Sequence, residues 1–227
     1  METVAIIGTG RMGSLIAHKI CSRYNVILID KDLRKCGLLA KEVSGLATSE
    51  YSMLPLSDYI ITALPATVIP EVIKELKLFV KREHILINIS TDTDKSVFEP
   101  LNGLCKLVSA KVIGHAQYIG NTDELPLIII DGDDTDTCNK TARIFAKMGV
   151  IRFGDEKTVT IINNIASEEG IKAALSITKR LEEINIPSEY ISFAIRNVAC
   201  GTMNAYALGD GGPFVQKIIK KIQNGKN

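Results

Sequence analysis

Short apolar runs alternate with longer amphipathic stretches between Val4 and Gly154, and this alternation restricts the fold more than any other feature of the chain. Each run is apolar on both faces of an extended chain, which is typical of a strand buried on both sides. The runs are Val4–Ile7, Val26–Ile29, Tyr59–Ala63, Ile85–Ile89, Leu107–Ile113 and Leu127–Ile130. Because strands that alternate with helices run parallel, the sequence predicts an α/β fold with a doubly wound, mostly parallel sheet.

The stretches between these runs have helical periodicity, and the end of the chain is entirely helical in pattern. The predicted helices of the first part are Met12–Arg23, Leu33–Glu42, Pro70–Lys81 and Asp136–Met148. Pro70 suits the first turn of a helix, where its missing N–H has no cost. Three further helices are predicted after Gly154, at Thr158–Ile184, Ser188–Ala207 and Pro213–Ile222. We therefore expect one domain over residues 1–154 and a small all-helical domain over residues 155–227.

Composition excludes several classes of function. The net charge is +1 and 46% of the residues are hydrophobic, so no basic surface for nucleic acid or membranes is indicated. No apolar run approaches the roughly 20 residues of a membrane helix, and the first strand follows Met1 too closely for a signal peptide. The five cysteines are scattered, without a C-x-x-C pair, which favours reduced thiols in a cytoplasmic protein and no metal site.

The first strand is followed by a glycine-rich turn with the spacing of a dinucleotide-binding motif. The segment "VAIIGTGRMGSLIA" places Gly8, Gly10 and Gly13 in a G-x-G-x-x-G pattern between a strand and a helix. In this context the first glycine permits the turn, the second lets the backbone approach a pyrophosphate, and the third allows close helix–strand packing. The motif predicts a Rossmann dinucleotide-binding domain over residues 1–154, with Thr9, Arg11 and Met12 beside the phosphates.

An acidic residue at the end of the second strand bears on the choice of cofactor. Asp30 ends "VILID", about where a carboxylate hydrogen-bonds the ribose hydroxyls of NAD. The same carboxylate repels the 2′-phosphate of NADP, although the neighbouring Lys31 offers a compensating positive charge. The sequence therefore predicts NAD as the cofactor, with NADP as the alternative.

Two later turns should line the same crevice, because ligands of such sheets bind beyond the carboxyl ends of the strands. Leu64 and Pro65 follow the strand that ends at Ala63, and Ser90 follows the next strand. All three are predicted to contact the cofactor, with Ser90 near the nicotinamide. Capping of the short helical segment that follows is an equally good explanation of Ser90.

The glycine motif, the "TALP" turn at Thr62–Pro65 and the helical C-terminal region together resemble a superfamily of small oxidoreductases. The superfamily comprises the pyrroline-5-carboxylate reductases, the deazaflavin-dependent NADP reductases, the prephenate dehydrogenases and the β-hydroxyacid dehydrogenases. The resemblance implies a Rossmann domain followed by a helical domain that dimerises and completes the substrate site. Chain length is most similar to pyrroline-5-carboxylate reductase, which reduces a cyclic imine. Leu64 stands where that family has a lysine.

The segment that follows Gly149 resembles the crossover helix of the β-hydroxyacid dehydrogenases. That family has a catalytic lysine three residues before paired asparagines. Asn163 and Asn164 match the pair and are predicted to bind substrate, whereas the lysine position holds Thr160. An exposed polar helix surface is the alternative explanation of both asparagines.

His115 is the best acid–base candidate in the chain. It lies in "GHAQYIG", after the strand Leu107–Ile113, and this segment resembles the G-x-H-P-M-x-G motif of prephenate dehydrogenase. Histidine exchanges protons near neutral pH and suits general acid–base work beside a nicotinamide. The alternative is an ordinary turn residue between glycines.

Together these features predict an NAD(P)-dependent oxidoreductase of the pyrroline-5-carboxylate reductase type. A hydride would pass between the nicotinamide and a small imine or a keto or hydroxy acid. Prephenate dehydrogenase-like oxidation and a non-catalytic dinucleotide-binding regulator are the alternatives. The C-terminal helices are apolar nearly all round, so we expect them to be buried in a homodimer.

Overall fold

The computed structural model describes residues 1–121 and 124–225, and its centre is an eight-stranded sheet. The strand order is β3-β2-β1-β4-β5-β6-β7-β8. Neighbouring strands pair in parallel, except that β6 and β7 are antiparallel. The strands are β1 Thr3–Ile7, β2 Asn25–Ile29, β3 Leu46–Thr48, β4 Tyr59–Thr62, β5 Ile85–Asn88, β6 Lys106–Ile113, β7 Leu127–Gly132 and β8 Val150–Phe153. The predicted α/β fold with a mostly parallel sheet is confirmed.

Alternate apolar residues of β1, β2, β4 and β5 enter two separate apolar cores, one on each face of the sheet. In β1, Val4 and Ile6 pack into the first core, whereas Ala5 and Ile7 pack into the second. Successive side chains of a strand point to opposite faces, so a strand covered on both faces must be apolar throughout. This double burial is the physical origin of the unbroken apolar runs in the sequence.

Among the described residues, five α-helices lie between strands of the sheet, and local signals account for several of their ends. They are α1 Arg11–Ile20, α2 Leu33–Val43, α3 Ile69–Leu76, α4 Ala116–Asn121 and α5 Thr135–Phe145. The carboxylate of Asp32 accepts the Lys35 N–H at 3.0 Å and caps α2, and Asp134 caps α5 through the Thr137 N–H at 3.0 Å. The helix predicted over 70–81 ends at Leu76 instead, because the chain continues in tighter turns through Val80.

The strands β3 and β8, the helix α4 and a short 3-10 helix at Tyr51–Leu56 were not predicted from the sequence. The strands β3 and β8 lie at the two edges of the sheet and are largely exposed, so they lack the continuous apolar pattern of the central strands. The helix α4 has only six residues and begins directly after His115, within a segment expected to be a loop. Periodicity over so few residues carries little signal.

The chain divides into two compact units, Met1–Asn164 and Ile165–Asn227, whereas the border predicted from the sequence lies between residues 154 and 155. A 26-residue helix, α6 (Lys157–Glu182), begins in the first unit and continues into the second. The second unit also contains α7 (Ser188–Phe193), a π-helical segment (Ala194–Ala199), α8 (Cys200–Ala207) and α9 (Pro213–Gln223). Among residues 165–225, Ile191 alone is buried.

Within residues 1–121 and 124–225, no helix is long and apolar enough to cross a membrane. The same residues contain no group of three or more histidine, cysteine or acidic side chains arranged to hold a metal ion. Cys21, Cys36, Cys105, Cys138 and Cys200 are all free thiols.

Candidate functional site

The glycines between β1 and α1 differ in what each one permits. A methyl group on Gly13 would lie 2.0 Å from the Gly8 carbonyl oxygen, and Gly8 itself has φ of +97° and sits against the Ala63 carbonyl. Gly10, in contrast, has no atom within 4 Å of the position that a side chain would take. Gly8 and Gly13 are therefore required by packing, whereas the open space at Gly10 is available to a ligand.

The first turn of α1 has the features of an anion-binding site. Its N-cap is Gly10, which provides no side-chain hydrogen bond, and the first turn contains no acidic residue. The helices α2 and α5 differ, since aspartates cap both of them. A helix start with unpaired N–H groups and a positive dipole end attracts a phosphate. Together with the open space at Gly10, this geometry fits a pyrophosphate.

The carboxylate of Asp30, at the end of β2, is tied to the glycine-rich turn. It accepts the backbone N–H of Thr9 at 2.6 Å and the Thr9 hydroxyl at 2.7 Å, while its other oxygen accepts the Asp32 N–H at 3.0 Å. Burial alone would raise the pKa of Asp30, but these hydrogen bonds outweigh it and lower the pKa below its ordinary value. Asp30 therefore carries a negative charge at neutral pH.

A cavity of about 600 Å³ lies at the carboxyl ends of β1, β2 and β4. Six of the predicted cofactor residues line it: Gly8, Gly10, Asp30, Lys31, Leu64 and Pro65. Sequence reasoning missed other residues of its wall: Asp32, Lys35, Ser49, Tyr51, Ala63, Thr67, Val68, Glu71, Val72 and Glu75. Half of these lie in the segments that follow β3 and β4, where the rule about carboxyl ends of strands identifies them once β3 is known, and the others belong to the start of α2 and to α3.

Four other predicted cofactor residues of the turn and of α1 do not line this cavity. Thr9 is fully buried and donates its hydroxyl to the carboxylate of Asp30, while Gly13 packs against the Gly8 carbonyl. Met12 packs on the first apolar core. Arg11 is exposed at the first position of α1, at the helix end that attracts phosphate.

Ser90 begins a loop that side chains hold in place from three directions. The side chain of Asn88, in β5, accepts the Ser90 N–H at 3.0 Å and donates to the Thr93 carbonyl at 2.7 Å. The ammonium of Lys111, in β6, donates to the carbonyls of Ser90 and Thr93. The hydroxyls of Ser90 and Thr93 lie 3.2 Å apart. Lys111 was not singled out from the sequence, although a lysine inside the apolar run "LVSAKVI" is a visible signal.

Side chains in the first turns of α6 donate hydrogen bonds to backbone carbonyls at the carboxyl edge of the sheet. Thr160 donates its hydroxyl to the Thr91 carbonyl at 2.9 Å, and Asn163 donates its amide to the Val112 carbonyl at 2.9 Å. Asn163 is half-buried and Asn164 is exposed. The hydrogen bond to Val112 gives Asn163 a structural role, while Asn164 is open to solvent.

His115 lies beyond the carboxyl end of β6 and is exposed. Its carbonyl accepts the N–H groups of Tyr118 and Ile119 at 2.9 and 3.0 Å, so it begins α4. Ile119 is buried in the first core and α4 packs against α1, the helix that follows the glycine-rich turn. His115 therefore lies on the same edge of the sheet as the cavity, with its imidazole accessible.

This combination of a strand, a glycine-rich turn and an uncapped helix beside a cavity has a counterpart in a known protein family. Residues 3–92 match the family described as "NADP oxidoreductase coenzyme F420-dependent". The matched segment contains the glycines, Asp30, Leu64, Pro65 and Ser90. The resemblance predicted from the sequence is thus confirmed for this part of the chain. No sequence among the curated proteins matches the chain.

Solved structures extend the resemblance in fold to almost the whole chain. A pyrroline-5-carboxylate reductase from Coxiella burnetii superposes with a TM-score of 0.74 at 14% identity, over 99% of this chain and 91% of that one. A reductive aminase from Aspergillus terreus, in complex with NADPH and ethyl-5-oxohexanoate, gives 0.69 at 13% identity over 99% and 78%. An imine reductase from Bacillus cereus BAG3X2 gives 0.64 at 18% identity over 100% and 78%.

These comparisons bear on the cofactor as well as on the fold. The family description names NADP, and the reductive aminase was solved with NADPH. They support an NADP(H)-type dinucleotide and give no support to the preference for NAD that Asp30 predicts. At such low identity the solved structures establish the fold and leave the substrate open.

Proposed function

We propose that this chain is an NAD(P)H-dependent oxidoreductase of the pyrroline-5-carboxylate reductase and imine reductase type. The observation that carries the proposal is the uncapped start of α1, with open space at Gly10, beside a 600 Å³ cavity that also contains Asp30. In this arrangement the phosphates lie at Gly8–Gly13, the adenosine half lies beside Asp30, and the nicotinamide half lies over β4 and β5.

The substrate class that we propose is a small imine, with keto or hydroxy acids as the alternative. When bound, the nicotinamide supplies the hydride, and the protein supplies binding, orientation and a route for the proton. Three structural neighbours of this chain are named for imine or amine chemistry, which favours a C=N bond over a carbonyl. Leu64 and Pro65 line the cavity as an apolar wall that excludes water from the cofactor.

His115 is the proposed proton partner. Its exposed imidazole, on the carboxyl edge of the sheet, is free to exchange protons with a bound substrate. Asn164 is the better candidate for substrate contact of the two asparagines, because the amide of Asn163 already binds the Val112 carbonyl. Thr160, where the β-hydroxyacid dehydrogenases have their lysine, is likewise committed to the Thr91 carbonyl.

Two considerations oppose each other in the choice between NAD(H) and NADP(H). The relatives are described with NADP. The cavity wall, however, contains the carboxylates of Asp30, Asp32, Glu71 and Glu75 against the ammonium groups of Lys31 and Lys35. This excess of negative charge disfavours a 2′-phosphate. We propose that both dinucleotides bind and that Asp30 sets the ratio of their affinities.

The second unit is the proposed dimerisation surface. It exposes large apolar side chains, among them Ile171 (62% exposed), Leu175 (65%) and Phe214 (71%). Exposed apolar area of this density favours association with another apolar surface. A second copy of the chain is the proposed partner, in keeping with the resemblance described above.

The proposal is tested by oxidation of NADH and NADPH, followed at 340 nm, in the presence of cyclic imines, 2-keto acids and a deazaflavin. We expect turnover with at least one imine. Replacement His115→Ala should then lower kcat by about 100-fold without changing the dissociation constant of the dinucleotide. The control is His18→Ala, an exposed histidine on α1 that pairs with Glu42. Failure of the purified protein to bind either dinucleotide would overturn the proposal.

A second candidate function is a dinucleotide-binding regulator without catalysis. The observation that favours it is the absence of lysine at positions 64 and 160, with Thr160 bound to a backbone carbonyl instead. Binding of NADH or NADPH without turnover of any substrate class, and with His115→Ala indistinguishable from the wild type, would favour this function.

A further inference from the structure

Lys111 places an ionisable amine in the interior, where ionisable side chains are rarely found. Its side chain is 1% exposed, and it is the only buried lysine or arginine among the described residues. It lies in the middle of β6, between residues that pack into the apolar cores. Burying an ammonium costs several kcal/mol unless partners compensate, so a retained buried lysine calls for an explanation.

The partners of Lys111 belong mostly to one loop. Its Nζ donates to the carbonyls of Ser90 and Thr93, the latter at 2.6 Å, and lies 3.4 Å from Oε2 of Glu156. Glu156 is 3% exposed and provides the balancing charge. Its other oxygen accepts the N–H of Lys95 at 2.7 Å, so the carboxylate also binds the backbone two residues beyond Thr93.

A third carbonyl of this loop also binds a side chain. The hydroxyl of Thr160 donates to the carbonyl of Thr91. The loop Ser90–Thr93 is thus fixed from β5 by Asn88, from β6 by Lys111 and from α6 by Thr160. Loops that connect strands to helices are ordinarily the mobile part of such a fold. Fixing one through three separate elements is the arrangement expected of a preorganised site.

The loop Ser90–Thr93 lies on the side of the sheet towards which a bound dinucleotide would extend. Along the sheet, Asp30 follows β2, the glycine-rich turn follows β1, and Leu64 follows β4. The loop Ser90–Thr93 follows β5, the next strand in the same direction. A dinucleotide with its adenosine at Asp30 and its phosphates at α1 therefore extends its nicotinamide towards this loop.

We infer that Lys111, paired with Glu156, is a positioning residue that fixes the loop Ser90–Thr93 as a wall for the nicotinamide half of the cofactor. The inference rests on the proposed function and adds to it a residue outside the glycine-rich motif. Lys111 itself is buried behind the loop, so its effect is transmitted through the carbonyls that it binds.

Two binding measurements test the inference without requiring a substrate. Titration calorimetry would give the dissociation constants of NADH and NADPH, and of the half-molecules AMP and 2′,5′-ADP, for the wild type and for Lys111→Met. We expect the complete dinucleotides to bind about tenfold more weakly to the variant and the half-molecules to bind as before. Hydrogen exchange should also become faster in the amides of residues 90–95.

Two further variants separate a local effect from a general loss of stability. Val108→Ala removes buried volume from the same strand without touching the loop, and should leave all four dissociation constants unchanged. Thr160→Val removes only the hydroxyl that binds the Thr91 carbonyl. It should also weaken the binding of the dinucleotides, but by less than Lys111→Met does. Thr160→Val decides the question if Lys111→Met does not fold.

The possible outcomes are distinct. Unchanged dinucleotide affinity in Lys111→Met, or an equal loss for dinucleotides and half-molecules that Val108→Ala reproduces, would overturn the inference while the proposed function stands. A wild-type protein that binds neither the dinucleotides nor the half-molecules would overturn the proposed function, and the inference with it.

Discussion

The carboxylate of Asp30 accepts both the backbone N–H and the hydroxyl of Thr9, at 2.6 and 2.7 Å. This pair joins the end of β2 to the glycine-rich turn, so the residue that should contact the ribose is also the one that fixes the phosphate-binding turn. The hydrogen bonds lower the pKa of Asp30 against the effect of burial, and its charge persists throughout the neutral range.

Replacement Asp30→Asn should change the selectivity between cofactors. Removing the negative charge relieves repulsion of the 2′-phosphate and weakens the hydrogen bonds to the ribose hydroxyls of NADH. We expect the ratio of NADPH affinity to NADH affinity to rise by about tenfold or more. Calorimetric titration of both dinucleotides checks this, with Asp136→Asn, which removes an exposed carboxylate on α5 outside the cavity wall, as the control. An unchanged ratio would remove Asp30 from the ribose site.

Two glycine replacements should have opposite consequences. Gly13→Ala places a methyl group 2.0 Å from the Gly8 carbonyl oxygen and should lower the free energy of unfolding by about 1–3 kcal/mol or more. Gly10→Ala meets no neighbouring atom and should change stability by no more than about 0.5 kcal/mol. Only the latter should fold normally and yet lose dinucleotide binding, as urea unfolding and fluorescence titration would reveal. Normal binding by Gly10→Ala would contradict the pyrophosphate assignment.

His84 should make the stability of the fold depend on pH. It is 1% exposed and its Nδ1 accepts the Lys81 N–H at 3.0 Å; burial lowers its pKa below the ordinary value. The unfolded chain therefore takes up a proton before the folded protein does, and stability falls as pH decreases through and below about 6.5. The free energy of unfolding, measured with urea at several pH values between 5 and 8, should depend less on pH in His84→Gln than in the wild type. An equal dependence on pH in the two proteins would refute the prediction.

The pair of Lys111 and Glu156 should behave as a coupled unit in unfolding experiments. Removing either partner leaves the other charge buried, so Lys111→Met and Glu156→Gln should each cost about 3–5 kcal/mol. The double variant should cost less than the sum of the two, because neither charge is then left alone. Lys140→Met, which breaks an exposed ion pair with Asp136, provides the control. Additive costs would indicate that the two side chains do not interact.

The apolar surface of the second unit predicts the oligomeric state. We expect a dimer in sedimentation equilibrium for the wild type and a monomer for Leu175→Glu, whose side chain is 65% exposed. Arg180→Glu changes the charge on the opposite side of α6 and should leave the dimer intact. A wild-type monomer at all concentrations would contradict the proposed dimer.

The sequence was sufficient for the central sheet because double burial leaves a pattern that no solvated segment has. Val4–Ile7 and Ile85–Ile87 are apolar on both faces, and both lie in strands. The edge strands β3 and β8 escaped prediction because one side of each lacks a neighbouring strand, and this relaxes the demand for apolar residues. The glycine motif was readable for a related reason, since steric contacts at Gly8 and Gly13 tolerate no other residue.

The part of the candidate site around the loop Ser90–Thr93 could not be predicted as well from the sequence. Lys111 contacts Ser90 across 21 positions of the chain, and Thr160 contacts Thr91 across 69. Nothing local in the sequence links such residues, because only the pairing of β5 with β6 and the start of α6 brings them together. Asn163 was predicted as a substrate ligand from the resemblance to the crossover helix of the β-hydroxyacid dehydrogenases, whereas its hydrogen bond to Val112 depends on the same tertiary arrangement.

The antiparallel pairing of β6 with β7 has a consequence for how such a protein can change its specificity. Ile113, at the end of β6, pairs with Leu127, at the start of β7, so the intervening segment leaves the sheet and returns to it at one edge. A parallel β7 would instead require a crossover to the opposite edge. The described residues 114–121, which include His115, therefore lie at the edge of the sheet that also borders the cavity. Of these residues, Ile119 packs into the first core, whereas the exposed His115 can be replaced without a change in the strand order or in the phosphate-binding turn.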